Sequence, residues 1–281
     1  MKTILVATEL SERSDRAVRR ALRLATASGA ECHALFVADD SLPEDIAEPF
    51  RAQAEARLRR FLDAAPGGET AHATALLGDP VATITDHASA IGADLVVLGL
   101  HRPRPFLAAL RETPMERLVR LLPQPVLLVR DPADHDYRSV LAPVSLSPAC
   151  ASALRAARAV APDARLRAFH AIYIPFGGLT GESPGGAMAA AMHREAEAAR
   201  AEWSAAGALT EDMAEVELIT GGLREVFDRQ LQATGADLVV LGAHTRSLYL
   251  AHGLGSFTAE MIRNPPTDLL VARPRRPPPA G

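Results

Sequence analysis

Short apolar runs alternate with amphipathic or charged stretches from one end of the chain to the other. In the first half the runs are Thr3–Ala7, Cys32–Val37, Ala71–Leu77, Asp94–Gly99 and Pro125–Arg130. Their Val, Leu, Ile and Ala residues follow one another instead of alternating with polar ones. That pattern predicts strands buried on both faces. The intervening stretches predict helices. Ser11 suits the N-cap of a helix over 12–28. Pro43 to Phe50 leads into a charged helix ending near Pro66, and Pro80 starts a helix to about Ile91. Thr113-Pro114-Met115-Glu116 opens another helix with a capping box and a proline at the first helical position.

The second half repeats this order after a polar, proline-containing linker, residues 131–138. A first strand begins near Val140, and Ser147-Pro148 caps a helix. Leu166–Ile172 predicts the second strand. Ile174–Ala187, rich in glycine, predicts a mobile loop placed to act as a lid. Then come a helix over 188–206, a strand at Val216–Thr220, a helix over 223–234 and the Asp237–Gly242 strand. The last helix starts near Phe257, the fifth strand is Asp268–Arg273, and 275–281 predicts a disordered tail. Regular alternation of buried strands and helices defines an α/β class, with a parallel sheet covered by helices on both faces.

The halves are copies. Gly92–Gly99 and Gly235–Gly242 both read GADLVVLG, each followed by one variable residue and a histidine, His101 or His244. The offset is 143 residues here and 136 between Ile4–Ser11 and Val140–Ser147, so the second copy carries seven extra residues. A period this long indicates two domains, 1–133 and 138–274, and not a solenoid.

Composition excludes several classes. A net charge of −4 gives no broad attraction to nucleic acid or anionic membrane. No apolar run approaches the ~20 residues of a membrane span, and the N-terminus lacks a signal peptide's pattern. The two cysteines, Cys32 and Cys150, sit at non-equivalent positions without a CxxC, which suits buried free thiols in a cytoplasmic protein. Catalytic motifs such as G-x-S-x-G, HExxH and the Walker lysine are missing, and the nine histidines show no metal-ligand spacing. The chain is therefore expected to be no enzyme, or at most a weak ATPase, and no resident metal site is expected.

In open α/β sheets ligands bind beyond the carboxyl ends of the strands. In the second half that edge carries Gly242-Ala243-His244-Thr245-Arg246 and, with nine residues between Thr245 and it, Gly255-Ser256-Phe257-Thr258. A glycine, two hydroxyls and the free N–H groups of a helix start suit an anion, and a phosphate fits. The same segment also reads as a plain N-cap.

On these residues the chain resembles a tandem universal stress protein, nearly end to end. The resemblance implies two tandem open, twisted five-stranded parallel sheets, Rossmann-like and adenine nucleotide alpha hydrolase-like, with strand order 3-2-1-4-5. Nucleotide-binding members show G-x2-G-x9-G-[ST] after strand four, often with a histidine before the second glycine, and an aspartate after strand one. The resemblance places adenine and ribose at the strand-one loop and the phosphates at the glycine-serine segment. In the second half Gly242, Gly255 and Ser256 match and His244 stands in place, but Thr245 replaces the middle glycine. Ser145, flanked by Pro143 and Val144, replaces the aspartate. In the first half Gly99 matches and Glu9 replaces the aspartate, while Arg102 and Glu112 replace two glycines ahead of Thr113. A carboxylate there repels phosphate unless it is neutralised, and Arg102 is one candidate partner.

What the resemblance implies is a stress-response regulator binding ATP or a related adenine nucleotide, with or without Mg2+, mainly in the second domain. The alternatives are a nucleotide-free scaffold, with both sites decayed, and a slow ATP hydrolase. The resemblance also implies an intrachain pseudo-dimer through the fifth strands, Val126–Val129 and Leu269–Ala272, and leaves open a further homodimer.

Overall fold

The structure is a computed structural model that describes residues 1–38, 43–100, 112–174, 186–207, 209–243 and 254–274. In chain order the elements of the first half are β1 (Thr3–Thr8), α1 (Glu12–Ser28), β2 (Glu31–Ala38), α2 (Glu44–Ala64), β3 (His72–Leu77), α3 (Pro80–Ala90), β4 (Leu95–Gly99), α4 (Pro114–Leu121) and β5 (Val126–Val129). Those of the second half are β6 (Ser139–Pro143), α5 (Pro148–Val160), β7 (Arg165–Ile172), α6 (Ala187–Ala206), α7 (Glu211–Ala214), β8 (Val216–Thr220), α8 (Leu223–Thr234), β9 (Leu238–Gly242), α9 (Ser256–Arg263) and β10 (Asp268–Ala272). Most of the lid expectation (175–185) and the whole tail (275–281) lie outside the described residues, as do His101, Arg102, His244, Thr245 and Arg246.

These elements gather into two compact units. The first holds 1–136 and 254–271, so α9 and most of β10 cluster with the first half of the chain. Its strands run in the order β3-β2-β1-β4-β5-β10. The first five are parallel, as the expected 3-2-1-4-5 arrangement requires. Strand β10 then makes an antiparallel ladder with β5, pairing Leu269 with Leu128 and Val271 with Val126. The expected meeting of the fifth strands is present in this ladder. The second unit keeps β9-β6-β7-β8, the corresponding 4-1-2-3 of its repeat, also parallel.

The strands are apolar because both faces are covered. Ile4, Leu5, Val6, Val96, Val97, Leu127, Leu128 and, in the second unit, Leu141, Phe169, Leu238 and Val239 have no exposed surface. Complete burial of such side chains stabilises by roughly 1.5–3 kcal/mol each. Both cysteines are free and buried. Among the described residues no helix is long and apolar enough to cross a membrane.

The duplicated octapeptide has a shared task in each unit. Gly92 and Gly235 adopt left-handed backbone (φ 62° and 55°), which ends the preceding helix without a Cβ penalty. The next Asp then grips the start of the first strand. Asp94 Oδ2 accepts the N–H of Lys2 at 2.6 Å and of Thr3 at 3.3 Å. Asp237 accepts those of Arg138 and Ser139 at 2.9 and 3.0 Å. The carboxylate thus satisfies donors that a strand leaves open at its first residues.

Two local details depart from the sequence expectation. Helix α2 begins at Glu44 and runs through Pro49. Pro49 lies in the second turn, where its ring removes a single helical hydrogen bond. Residues 131–136 are no loose linker, because arginines of α1 hold them. Arg20 donates to the carbonyls of His135 (2.7 Å) and Pro132 (3.3 Å), and Arg23 pairs with Asp136.

Arg20 and Asp268 are almost wholly buried, with guanidinium and carboxylate 3.4 Å apart. Asp268 also accepts the backbone N–H of Arg130 at 2.8 Å and of Asp131 at 2.9 Å. Asp268→Ala is expected to destabilise the first unit by about 3–5 kcal/mol, since it strands a buried guanidinium and two amides. Urea unfolding followed by circular dichroism checks this; a loss within ~0.5 kcal/mol would contradict it.

Candidate functional site

The loops at the carboxyl ends of β1 and β6 turn in the same unusual way. Leu10 and Leu146 both have left-handed backbone, φ 59° and 53°. For a leucine this costs roughly 1–2 kcal/mol, so the surroundings must enforce it. After β1, Leu10 N–H donates to Thr8 Oγ1 at 3.0 Å, and Arg57 of α2 donates to the Leu10 carbonyl at 3.1 Å. Ser11 and Ser14 form a reciprocal capping box at the start of α1. Glu9, at the aspartate position of the resembling family, is exposed and accepts from Ser11 Oγ at 2.8 Å.

After β6, Ser147 caps α5 by accepting from Cys150 N–H at 3.4 Å. The Ser147 carbonyl accepts from Trp203 Nε1 at 2.7 Å. Pro143 and Val144 are buried. Val144 N–H donates to Phe169 O at 2.8 Å, and its carbonyl lies 2.9 Å from His170 Nδ1. Ser145 is exposed, with its N–H 3.3 Å from Cys150 Sγ. The backbone of Val144 is therefore engaged inside the fold, and only Ser145 of this trio faces solvent.

Gly242 has a packing reason to be glycine. A Cβ there would lie 2.6 Å from Cys150 N and 2.7 Å from Ala149 C, so α5 sits directly against the end of β9. In the first unit Gly99 ends β4 in register with Val129.

The two helix starts of the first unit differ sharply. Helix α4 is closed by its own side chains: Thr113 Oγ1 accepts Glu116 N–H at 3.2 Å, and Glu116 Oε2 accepts Thr113 N–H at 2.7 Å. Glu112 meets Arg120 through two hydrogen bonds of 2.7 and 2.9 Å. This pairing holds the Arg120 guanidinium above its ordinary pKa, chiefly through the hydrogen bond to Glu112. The carboxylate expected to obstruct the first-half site is thus bound by Arg120; Arg102 lies outside the described residues. Glu116 is buried and also accepts from Arg263 of α9 at 3.0 Å.

Helix α9 has no such closure. Its N-cap is Gly255 (φ −58°), and no side chain caps it among the described residues. Among the described residues nothing lies within 4 Å of where a Cβ on Gly255 would be. Ser256 is exposed, Phe257 half-buried and Thr258 buried. Pro143, Val144, Ser145 and Gly242 belong to the second unit, whereas Gly255–Thr258 cluster in the first with Glu9, Gly99 and Thr113.

Two features escaped the sequence. The left-handed leucines carry no glycine or asparagine to announce them, though Thr8-Glu9-Leu10-Ser11 and Val144-Ser145-Leu146-Ser147 share a leucine at the same place. Glu31 and His33 on β2 meet His72 on β3, with their ligand atoms within 4.8 Å of one another. An E-x-H pair on one strand face was the available signal.

The Universal stress protein family model matches residues 1–130 and again 136–273, so the chain belongs to that family. The fold agrees. A universal stress protein from Archaeoglobus fulgidus DSM 4304 aligns over 97% of this chain and 96% of its own, at 18% identity and TM-score 0.67. A functionally unknown protein from Pseudomonas aeruginosa PAO1 aligns over 98% and 93%, at 19% identity and TM-score 0.62. A universal stress protein in complex with cAMP aligns over 46% of this chain and 97% of its own, at 23% identity and TM-score 0.39. No curated protein sequence matches the chain.

Gly242→Ala is expected to lower stability by about 1–3 kcal/mol, because the new methyl must displace the first turn of α5. Thermal unfolding checks this; an unchanged midpoint would mean that the close approach does not constrain the residue.

Proposed function

We propose that this universal stress protein is a stress-response regulator that binds ATP or a related adenine nucleotide, with the phosphates resting at Gly255-Ser256-Phe257-Thr258. The observation that carries this reading is the contrast between the two helix starts. At α4 the cap hydroxyl, the Glu116 carboxylate and the Glu112–Arg120 pair occupy the places an anion would take. At α9 a glycine stands at the cap, nothing among the described residues lies within 4 Å of where its Cβ would be, and an exposed serine follows. The positive dipole end of a helix attracts anions, and the absent Cβ lets a phosphate approach the backbone. Ser256 supplies a hydroxyl donor to the same place.

A nucleotide-free scaffold is the competing reading. It draws on the loop after β6, where the Val144 N–H and carbonyl already have partners within the fold. Slow hydrolysis of a bound nucleotide is the third.

Equilibrium dialysis of the full chain with labelled ATP, with and without Mg2+, separates these readings. Saturable binding of one equivalent is expected, lost by at least about tenfold in Gly255→Glu, an energy near 1.4 kcal/mol. Gly255 has a backbone conformation that any residue adopts, and nothing among the described residues lies within 4 Å of a Cβ there, so the variant should fold. Absence of saturable binding below millimolar ATP would sink the proposal and favour the scaffold. Release of inorganic phosphate from the bound complex would show the hydrolase.

A further inference from the structure

Strand β2 opens with Glu31-Cys32-His33, and strand side chains alternate between faces. Glu31 and His33 therefore share one face, while Cys32 turns to the other. Parallel pairing then sets His72, the first residue of β3, directly beside His33. The rings of His33 and His72 stack with centroids 4.6 Å apart at 23°. His33 Nε2 lies 3.7 Å from Glu31 Oε2. One ligand atom from each of the three residues falls within 4.8 Å of the others.

We propose that Glu31, His33 and His72 form a binding site for a divalent transition-metal ion, and that their donor set suits Zn2+. Two imidazole nitrogens and one carboxylate oxygen are borderline donors of the kind zinc takes, with water completing the tetrahedron. Bonds of about 2.0–2.1 Å place tetrahedral ligand atoms roughly 3.3 Å apart. Reaching that spacing requires the side chains to close in from separations of up to 4.8 Å and the stacked rings to turn until their lone pairs converge, and two of the three, Glu31 and His72, are exposed and able to move.

The neighbourhood favours such an ion. His33 Nε2 is shielded from water and has no hydrogen-bond partner among the described residues. A buried nitrogen in that state is costly, and a metal bond would satisfy it. Protonation does not offer the same relief. Burial, and next the charge of His72, hold His33 below its ordinary pKa against the pull of Glu31. His87, in the last turn of α3, is likewise depressed, first by burial and then by His33. Both shifts favour the neutral imidazole of His33 and His87. Cys32 stays out of the set: it is buried, and burial pushes its thiol up to about 12. The competing account is a simple stacked histidine pair with a nearby surface carboxylate.

Competition between the full-length protein and a chromogenic chelator for Zn2+ decides between them, with Co2+ absorption reporting the ligand geometry. One tight equivalent is expected for the unaltered chain. His33→Ala and His72→Ala should each weaken it by at least about a hundredfold, and Glu31→Gln by about tenfold or more. His193→Ala, in the second unit, should leave it unchanged. Zn2+ should raise the thermal midpoint of the unaltered chain but not that of His72→Ala, an exposed edge-strand change expected to fold normally. No stoichiometric binding, or binding that survives in the His33→Ala/His72→Ala double variant, overturns the proposal.

Discussion

A carboxylate without access to water can remain charged only if the fold surrounds it with donors. Asp268 is such a group. It stands at the first residue of β10, takes two backbone amides from the end of β5, and faces the buried guanidinium of Arg20. Arg20 in turn reaches the carbonyls of residues 132 and 135. One charge therefore aligns β10 with β5, holds the chain leaving β5, and ties both to α1. The β5–β10 ladder and the Glu116–Arg263 contact between α4 and α9 follow from that alignment.

Much of this architecture is legible in the residues. Buried parallel strands appear as unbroken apolar runs, and the caps at Ser11, Thr113 and Ser147 behave as their chemistry predicts. Asp94 and Asp237 explain why an octapeptide survives unchanged in two copies: each copy ends a helix, binds the adjacent strand start and then enters the core. What escapes a linear reading is nonlocal. Partners such as Glu112 and Arg120 meet around a helix start, not along one face. The pairing of His33 with His72 depends on strand register, which no spacing rule encodes. Nor does spacing reveal that Gly242, a glycine of the resembling motif, lies directly against the backbone of α5.

Conformational strain adds a further layer. Two leucines at matching places sit in a backbone region that favours glycine. Leu10 is held by Thr8 and Arg57, and a turn so held presents its groups at a smaller ordering cost when something binds.

The unequal helix starts bear on how such a chain would signal. A protein with two equivalent pockets can respond sigmoidally, each occupied pocket altering its twin. Here the start of α4 is closed by the Glu116 side chain, which accepts from Thr113 N–H and from Arg263. Under the proposed function only the second copy would take a ligand, so occupancy would follow ligand concentration along a simple hyperbola with no homotropic cooperativity.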